Sequence, residues 1–71
     1  MADIPGAAVK RLLTKHGGDL RTSSAAVTMA VEAAEHYIER LAQAAGALAQ
    51  SDKRKTIMDG DIKAAREQLG I

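Results

Sequence analysis

The amino-acid sequence predicts an all-α fold in which a short helix, a loop, a long helix, a second loop and a short helix follow one another. Three observations predict this order. Apolar residues recur every three or four positions across residues 23–50, which contain no proline. An earlier apolar stretch begins at a proline and ends at a glycine pair, and a later one begins with acidic residues and ends at a glycine.

The first helix is expected to follow a short flexible arm, residues 1–4. Pro5 suits the first helical turn, because the N–H that it lacks would have no partner there. Gly17 or Gly18 can adopt the left-handed conformation that closes a helix. The apolar face of this helix consists of Val9, Leu12 and Leu13.

The long helix is predicted over residues 23–50, with Ser23 or Ser24 capping its first backbone N–H groups. At ~1.5 Å per residue it is roughly 40 Å long, whereas a compact 71-residue domain has a radius of gyration of only ~11 Å. The chain alone therefore cannot cover the middle of the helix, and a partner is expected there. Its apolar positions are Val27, Ala30, Val31, Ala34, Tyr37, Ile38, Leu41, Ala45 and Leu48.

A polar, charged stretch at residues 51–57 interrupts the helical pattern before the last helix. Asp59 and Asp61 place negative charge in the first turn of that helix, where the helix dipole favours it. Gly70 ends it, and its apolar stripe consists of Ile62, Ala65 and Leu69.

The composition favours one domain, residues 1–71, with a thin core. Hydrophobic residues make up 46% of the chain, but nearly half of them are alanine, and Tyr37 is the only aromatic residue. Domains of this size are marginally stable unless disulfides, metals or oligomerisation support them. Cysteine is absent, and His16 and His36 are too far apart to suggest a metal site, so no metal or cofactor is expected. Oligomerisation remains.

The net charge is only +1, but the charges are segregated along the chain. Basic residues concentrate in the first third and in the run Lys53–Lys55, whereas glutamates occupy the middle. Separate basic clusters favour an anionic partner more than the net value indicates. No signal peptide, membrane span or lipidation motif is visible, which favours an intracellular protein without a membrane partner.

Catalysis is not expected. The sequence has no carboxylate pair with a cleft, no nucleophile beside a base, no glycine-rich phosphate loop and no metal-ligand spacing. It also has no aromatic platform on which single-stranded bases could stack. We therefore expect the basic clusters to bind duplex nucleic acid mostly without regard to sequence, driven by counterion release.

The segment Lys53–Ile62, KRKTIMDGDI, resembles the second loop and third helix of histone-fold proteins. Those proteins have Arg-Lys-Thr, a β-branched residue, three positions, and then Asp-Ile or Asp-Val. Ile4-Pro5 followed by residues 9–13, VKRLL, resembles the first helix of archaeal histones, and Arg21-Thr22-Ser23 resembles the Arg-x-Ser that caps the long helix. The resemblance spans residues 4–69.

The resemblance is close to archaeal-type minimal histones, which have no tails. The segment DKRKTIMDGDI together with residues 68–71, QLGI, also resembles the CCAAT-binding nuclear-factor subunits, which share the fold. Two function hypotheses therefore stand. One is a nucleoid-associated cytoplasmic histone that bends, coats or compacts double-stranded DNA largely without sequence specificity. The other is a dimerisation subunit of a transcription-regulatory or scaffolding complex.

The resemblance implies a handshake dimer in which two chains cross their long helices, either as a homodimer or with another histone-fold chain. It also implies an ion pair between Arg54 and Asp61 that braces the second loop. The implied dimer interface consists of Val31, Ala34, Tyr37, Ile38, Leu41 and Leu48. The implied DNA contacts are Arg11, Arg21, Lys53, Lys55 and Thr56.

Three positions depart from the archaeal pattern. One extra residue lies around residues 17–19, in the first loop. Ser51 stands where many archaeal histones have a histidine that contacts another dimer, and Ala64 stands where a larger apolar residue often supports the same contact. Weak association between dimers is therefore expected, although a tetramer or a higher assembly stays open.

Overall fold

The computed structural model describes residues 3–70 and has three helices in that range. They are α1 (Gly6–His16), α2 (Ser24–Ser51) and α3 (Asp59–Leu69). We call residues 17–23 the first loop and residues 52–58 the second loop. Neither loop contains a strand, so the described chain confirms the all-α order of short, long and short helices. None of these helices combines the length and the hydropathy that a membrane crossing requires.

The ends of α1 follow local backbone rules. Pro5 is extended and precedes the helix, so α1 begins one residue later than a proline in the first turn would give. At the other end Gly18 has a φ of 78°, which identifies it as the left-handed residue of the two candidate glycines. The backbone N–H of Asp19 donates to the Thr14 carbonyl at 3.0 Å, a bond typical of a Schellman ending.

The long helix α2 has 28 residues and begins at a serine cap. Ser23 Oγ accepts a hydrogen bond from the Ala26 N–H at 3.1 Å, so Ser23 is the cap and Ser24 is the first helical residue. The helix runs through Gly46, and its two halves belong to different compact units of the chain. One unit comprises residues 1–36 and the other residues 37–71.

In the first unit, α1 packs on the first part of α2. Val9 and Val31 are its buried apolar residues, and a methyl group on Gly6 would lie 3.7 Å from Val27 Cγ1. Glu35 Oε2 accepts the backbone N–H groups of Asp3 and Ile4, the latter at 3.1 Å. The arm that was expected to be flexible is therefore anchored at residues 3 and 4; residues 1 and 2 lie outside the described range.

In the second unit, α3 packs on the last part of α2 through small side chains. Ala45, Ala49 and Ala65 are buried there. Ile62 and Leu69, the other members of the α3 stripe, are half-buried. Gly70 closes the helix in the left-handed conformation, with a φ of 72°. The predicted stripe and the predicted end of α3 are both confirmed.

The single chain exposes more surface than is usual for its mass, and several large apolar residues are part of it. Its solvent-accessible area is 5706 Å², whereas a folded monomer of its 7.5 kDa mass is expected to expose roughly 4,250 Å². The excess of roughly 1,450 Å² is more than the ~800 Å² that each partner buries in a standard interface. The exposed large apolar residues of the described chain are Leu12, Leu20, Met29, Ile38, Ile57 and Met58.

The residues assigned to a dimer interface differ in how much surface they can offer. Val31 is already buried within its own chain, at 6% exposure, and Ile38 is 53% exposed. The expectation that the chain alone cannot cover the middle of the long helix is right for Ile38 and too strong for Tyr37 and Leu41, which are half-buried. Half-buried interface candidates are Ala34, Tyr37, Leu41 and Leu48.

Because the core is small and apolar surface remains exposed, we expect folding to be coupled to dimerisation. The melting temperature should then rise with protein concentration, since dimer stability follows mass action. Thermal unfolding over a hundredfold concentration range, with the mass determined by sedimentation, measures this. A constant midpoint together with a monomer mass would contradict it.

Candidate nucleic-acid interface

The second loop starts from an unusual helix ending. Lys53 has a φ of 58°, in the left-handed region. Its N–H donates to the Gln50 carbonyl at 2.9 Å, and the Arg54 N–H donates to the Ala49 carbonyl, also at 2.9 Å. These are the two hydrogen bonds of a Schellman motif. They turn the chain sharply at the end of α2 and place Arg54 at the first position beyond the turn.

The Arg54 guanidinium forms a two-pronged ion pair with Asp61, the third residue of α3. Nη1 donates to Oδ2 at 2.7 Å and Nη2 donates to Oδ1 at 2.8 Å. Parallel bonds of this kind are among the stronger and more directional ones in proteins. The pair that the resemblance implied is thus present in the structure, and it joins the end of α2 to the start of α3.

Further hydrogen bonds extend this pair across the loop. Arg54 also donates to Asp52 Oδ2 at 3.1 Å and to the Thr56 carbonyl at 3.2 Å. The Met58 N–H donates to Asp61 Oδ2 at 2.8 Å, which satisfies a backbone donor at the start of α3. We call Arg54, Asp61 and these three partners the Arg54 clamp. It contacts the loop at its beginning, middle and end.

The clamp keeps both charged groups ionised. Asp61 is only 6% exposed, and burial without a partner would favour its neutral form. The hydrogen bonds from Arg54, and then the bond from the Met58 N–H, outweigh this and lower the pKa of Asp61 to about 2. The same pairing, with the contact to Asp52, raises the pKa of Arg54.

The remaining polar side chains of the loop point to solvent. Lys53, Lys55 and Thr56 are all exposed. Within residues 3–70, no carboxylate lies within salt-bridge distance of either lysine. The Thr56 carbonyl is held by the clamp, while its hydroxyl remains on the outside. The braced loop therefore presents two unpaired ammonium groups and a hydroxyl, which suits contact with phosphate oxygens.

The other two DNA-contact candidates lie in the first unit. Arg21 is exposed in the first loop, and Arg11 is exposed on α1. Arg11 borders a concave surface of about 520 Å³, where Lys10 and Lys15 also lie. No motif had assigned these two lysines, and only the α1 geometry places them with Arg11. The first loop also contains the buried Thr22 hydroxyl, which has no protein partner in the described chain.

Other parts of the clamp could not have been found in the sequence. Asp52, the Thr56 carbonyl and the Met58 N–H carry no motif of their own.

Among the residues described, no three His, Asp or Glu side chains converge as a metal site would require.

One comparison decides the family. The model of the core histone H2A/H2B/H3/H4 domain matches residues 4–68, which include α1, α2, both loops and all of α3 except its last residue. The chain belongs to the histone family. Histone-fold proteins typically bind DNA and form dimers, and they are generally structural or DNA-binding proteins rather than enzymes. The exposed lysines of the braced second loop are consistent with this histone's association with DNA.

We expect Arg54→Ala and Asp61→Ala each to lower the melting temperature by several degrees. Either change leaves a charged group without its main partner, and Asp61→Ala also removes the acceptor of the Met58 N–H. The double variant should be less destabilised than the two losses added together. A double-mutant cycle by thermal unfolding, at one protein concentration, measures this coupling. Asp52→Ala serves as the mild control, because the Asp52 side chain is 71% exposed. Strict additivity would exclude the coupling.

Acid should remove the stabilisation due to Asp61 between about pH 4 and pH 2. Its pKa is about 2 in the folded chain and ~3.9 in an unfolded one, so the unfolded state binds a proton first as the pH falls. The stabilisation is complete above the pKa of the unfolded chain and is lost progressively as the pH falls to the pKa of the folded chain. Denaturant unfolding from pH 6 to pH 2 should show a flatter acid limb for Asp61→Asn. The control Asp59→Asn, in the same helical turn, should retain the acid loss. Equal slopes for wild type and Asp61→Asn would refute the linkage.

Proposed function

We propose that this histone is of the archaeal type: a dimer that binds double-stranded DNA through its loops and bends, coats or compacts it largely without sequence specificity. The observation that carries the proposal is the Arg54 clamp, which holds Lys53, Lys55 and Thr56 in one exposed, braced loop. The proposed DNA-contact residues are Arg11, Arg21, Lys53, Lys55 and Thr56.

The chemistry of these residues favours the phosphate backbone over the bases. Lysine ammonium groups supply charge that displaces condensed counterions, and the threonine hydroxyl supplies a directional contact. Arg21 is proposed to approach the minor groove, whose negative potential is greatest where it is narrow. The only aromatic side chain, Tyr37, lies half-buried on α2, so it supports no stacking of single-stranded bases.

Dimerisation is proposed to complete this surface by supplying a second copy of each loop. The support is the large accessible area and the exposed apolar residues of the single chain. A second chain that covers Ile38 and its neighbours would bury this apolar surface, which is favourable by roughly 25 cal/mol per Å². The proposed contact residues on α2 are Val31, Ala34, Tyr37, Ile38, Leu41 and Leu48.

Association between dimers is proposed to be weak at the junction of α2 and α3. Ser51 is exposed there but has neither the ring nor the charge of a histidine, and Ala64 is small. The Asp61 carboxylate already accepts three hydrogen bonds within its own chain, so little of it is free for a neighbouring dimer. Coating or bending of DNA by separate dimers is therefore favoured over long stacked rods.

The second candidate is a histone-fold dimerisation subunit of a regulatory or scaffolding complex. The small net charge favours it, as do the acidic side chains exposed along α2, Glu32 and Glu39, because both reduce the general attraction to DNA. Under either proposal the chain works at the chromosome. Only the first proposal places it in a cytoplasmic nucleoid as a DNA-compacting protein.

Lys55→Ala is expected to weaken duplex binding about equally on all sequences. It should lower the log–log salt slope by about 1 for each phosphate that is no longer neutralised, and by up to about 2 in a dimer with two copies. Arg21→Ala should act similarly, with an additional loss on AT-rich DNA that has a narrow minor groove. Fluorescence anisotropy with duplexes of different sequence, across a salt series, measures both.

Lys63→Ala is the matched control, because Lys63 is an exposed lysine on α3 outside both loops. It should leave the slope unchanged. Wild-type slopes for Lys55→Ala and Arg21→Ala would show that the loops are not the contact surface. A folded dimer without any salt-dependent affinity for duplex DNA would instead support the dimerisation-subunit function.

A further inference from the structure

One of the three helices ends with a residue other than glycine in the left-handed conformation. Each helix is followed closely by a residue with positive φ: Gly18 after α1, Lys53 after α2 and Gly70 after α3. Glycine adopts this conformation without steric cost, because it has no Cβ. Lys53 adopts it with a full side chain and a φ of 58°. In the described chain only one other non-glycine residue, Asp19, has a positive φ.

The fold itself does not require a lysine at this position. Both hydrogen bonds of the Schellman ending use backbone N–H groups, those of Lys53 and Arg54, so glycine would make the same bonds. Glycine would also remove the clash between the Cβ and the backbone that an L-residue has in the left-handed region. The lysine side chain is therefore a strained choice at a place where the backbone favours glycine.

The strained residue lies where a positive charge can contact a phosphate. The Lys53 side chain is exposed, lies between Asp52 and Arg54 of the clamp and is two residues from Lys55. None of the ion pairs within residues 3–70 involves it. Non-glycine residues in this conformation persist where the surrounding structure determines the backbone, and they cluster at functional sites. Here the Schellman bonds and the clamp determine the backbone on both sides.

We propose that Lys53 is a phosphate-binding residue with two opposing effects. Its left-handed backbone lowers the stability of the fold, whereas its ammonium group raises the affinity of the protein for a nucleic-acid backbone. This inference rests on the proposed DNA-binding function, which already includes Lys53 among the contacts, and adds that this one contact is made at a measurable cost in stability. The ligand is the phosphodiester backbone of duplex DNA. The opposing effects on stability and on binding set Lys53 apart from Lys55, whose backbone is not left-handed.

The test compares Lys53→Gly and Lys53→Gln with wild type in thermal unfolding and in duplex binding across a salt series. Lys53→Gly should raise the melting temperature by a few degrees, up to about 8 °C, because it removes the strain. Both variants should lower the log–log salt slope by about 1.8 for the two copies in a dimer. Between 50 and 200 mM salt, wild type should then lose about 12-fold more affinity than either variant.

Asp19→Gly is the matched control, because Asp19 is the other exposed non-glycine residue with positive φ. It should also raise the melting temperature, but it should not reduce duplex affinity, since it removes a negative charge. Lys53→Arg should retain the wild-type salt slope.

Two results would overturn the inference. A Lys53→Gly variant that melts below wild type would show that the lysine serves the fold, for instance through the negative end of the α2 dipole. Wild-type salt slopes for Lys53→Gly and Lys53→Gln would show that Lys53 does not contact DNA. Failure of the proposed function is recognised separately, because wild type itself would then show no duplex affinity, and the inference would fail with it.

Discussion

The pairing of the buried Asp61 carboxylate with Arg54 is the constraint on which the second unit of this histone depends. A carboxylate that is only 6% exposed is tolerated because three hydrogen bonds reach it, two from Arg54 and one from the Met58 N–H. These bonds join the end of α2 to the start of α3 across a seven-residue loop. The same guanidinium holds the Thr56 carbonyl, so the loop that carries the exposed lysines is shaped by a charge pair rather than by apolar packing.

The weak apolar core makes this arrangement necessary. The buried apolar residues of the second unit are Ala45, Ala49 and Ala65, which remove little area from water. A polar clamp can hold a short loop in one conformation where alanines cannot, because its hydrogen bonds are directional. The same lack of large buried side chains leaves Ile38 and other apolar residues exposed on the single chain. Loop order and the proposed need for a second chain thus have one origin in composition.

Most of the fold could be predicted from the sequence, because its signals are local. The long helix was expected over residues 23–50 and occupies Ser24–Ser51, since apolar spacing and a serine cap act within a few residues. The α3 stripe and the Gly70 ending were predictable for the same reason. The Arg54–Asp61 pair and the proposed DNA contacts came from a family resemblance, because neither periodicity nor composition relates residues seven positions apart across a loop.

The sequence by itself determined that this chain has three helices, segregated basic clusters and a core that is thin for a stable monomer. Only the tertiary structure decided which donors and acceptors meet. It selected Ser23 over Ser24 and Gly18 over Gly17, placed Glu35 on the N–H groups of residues 3 and 4, and put Lys53 in the left-handed region. The physical reason is that helix formation depends on neighbours along the chain. Hydrogen bonds at loops and helix ends depend instead on the angle at which successive helices leave one another, which no short stretch of sequence encodes.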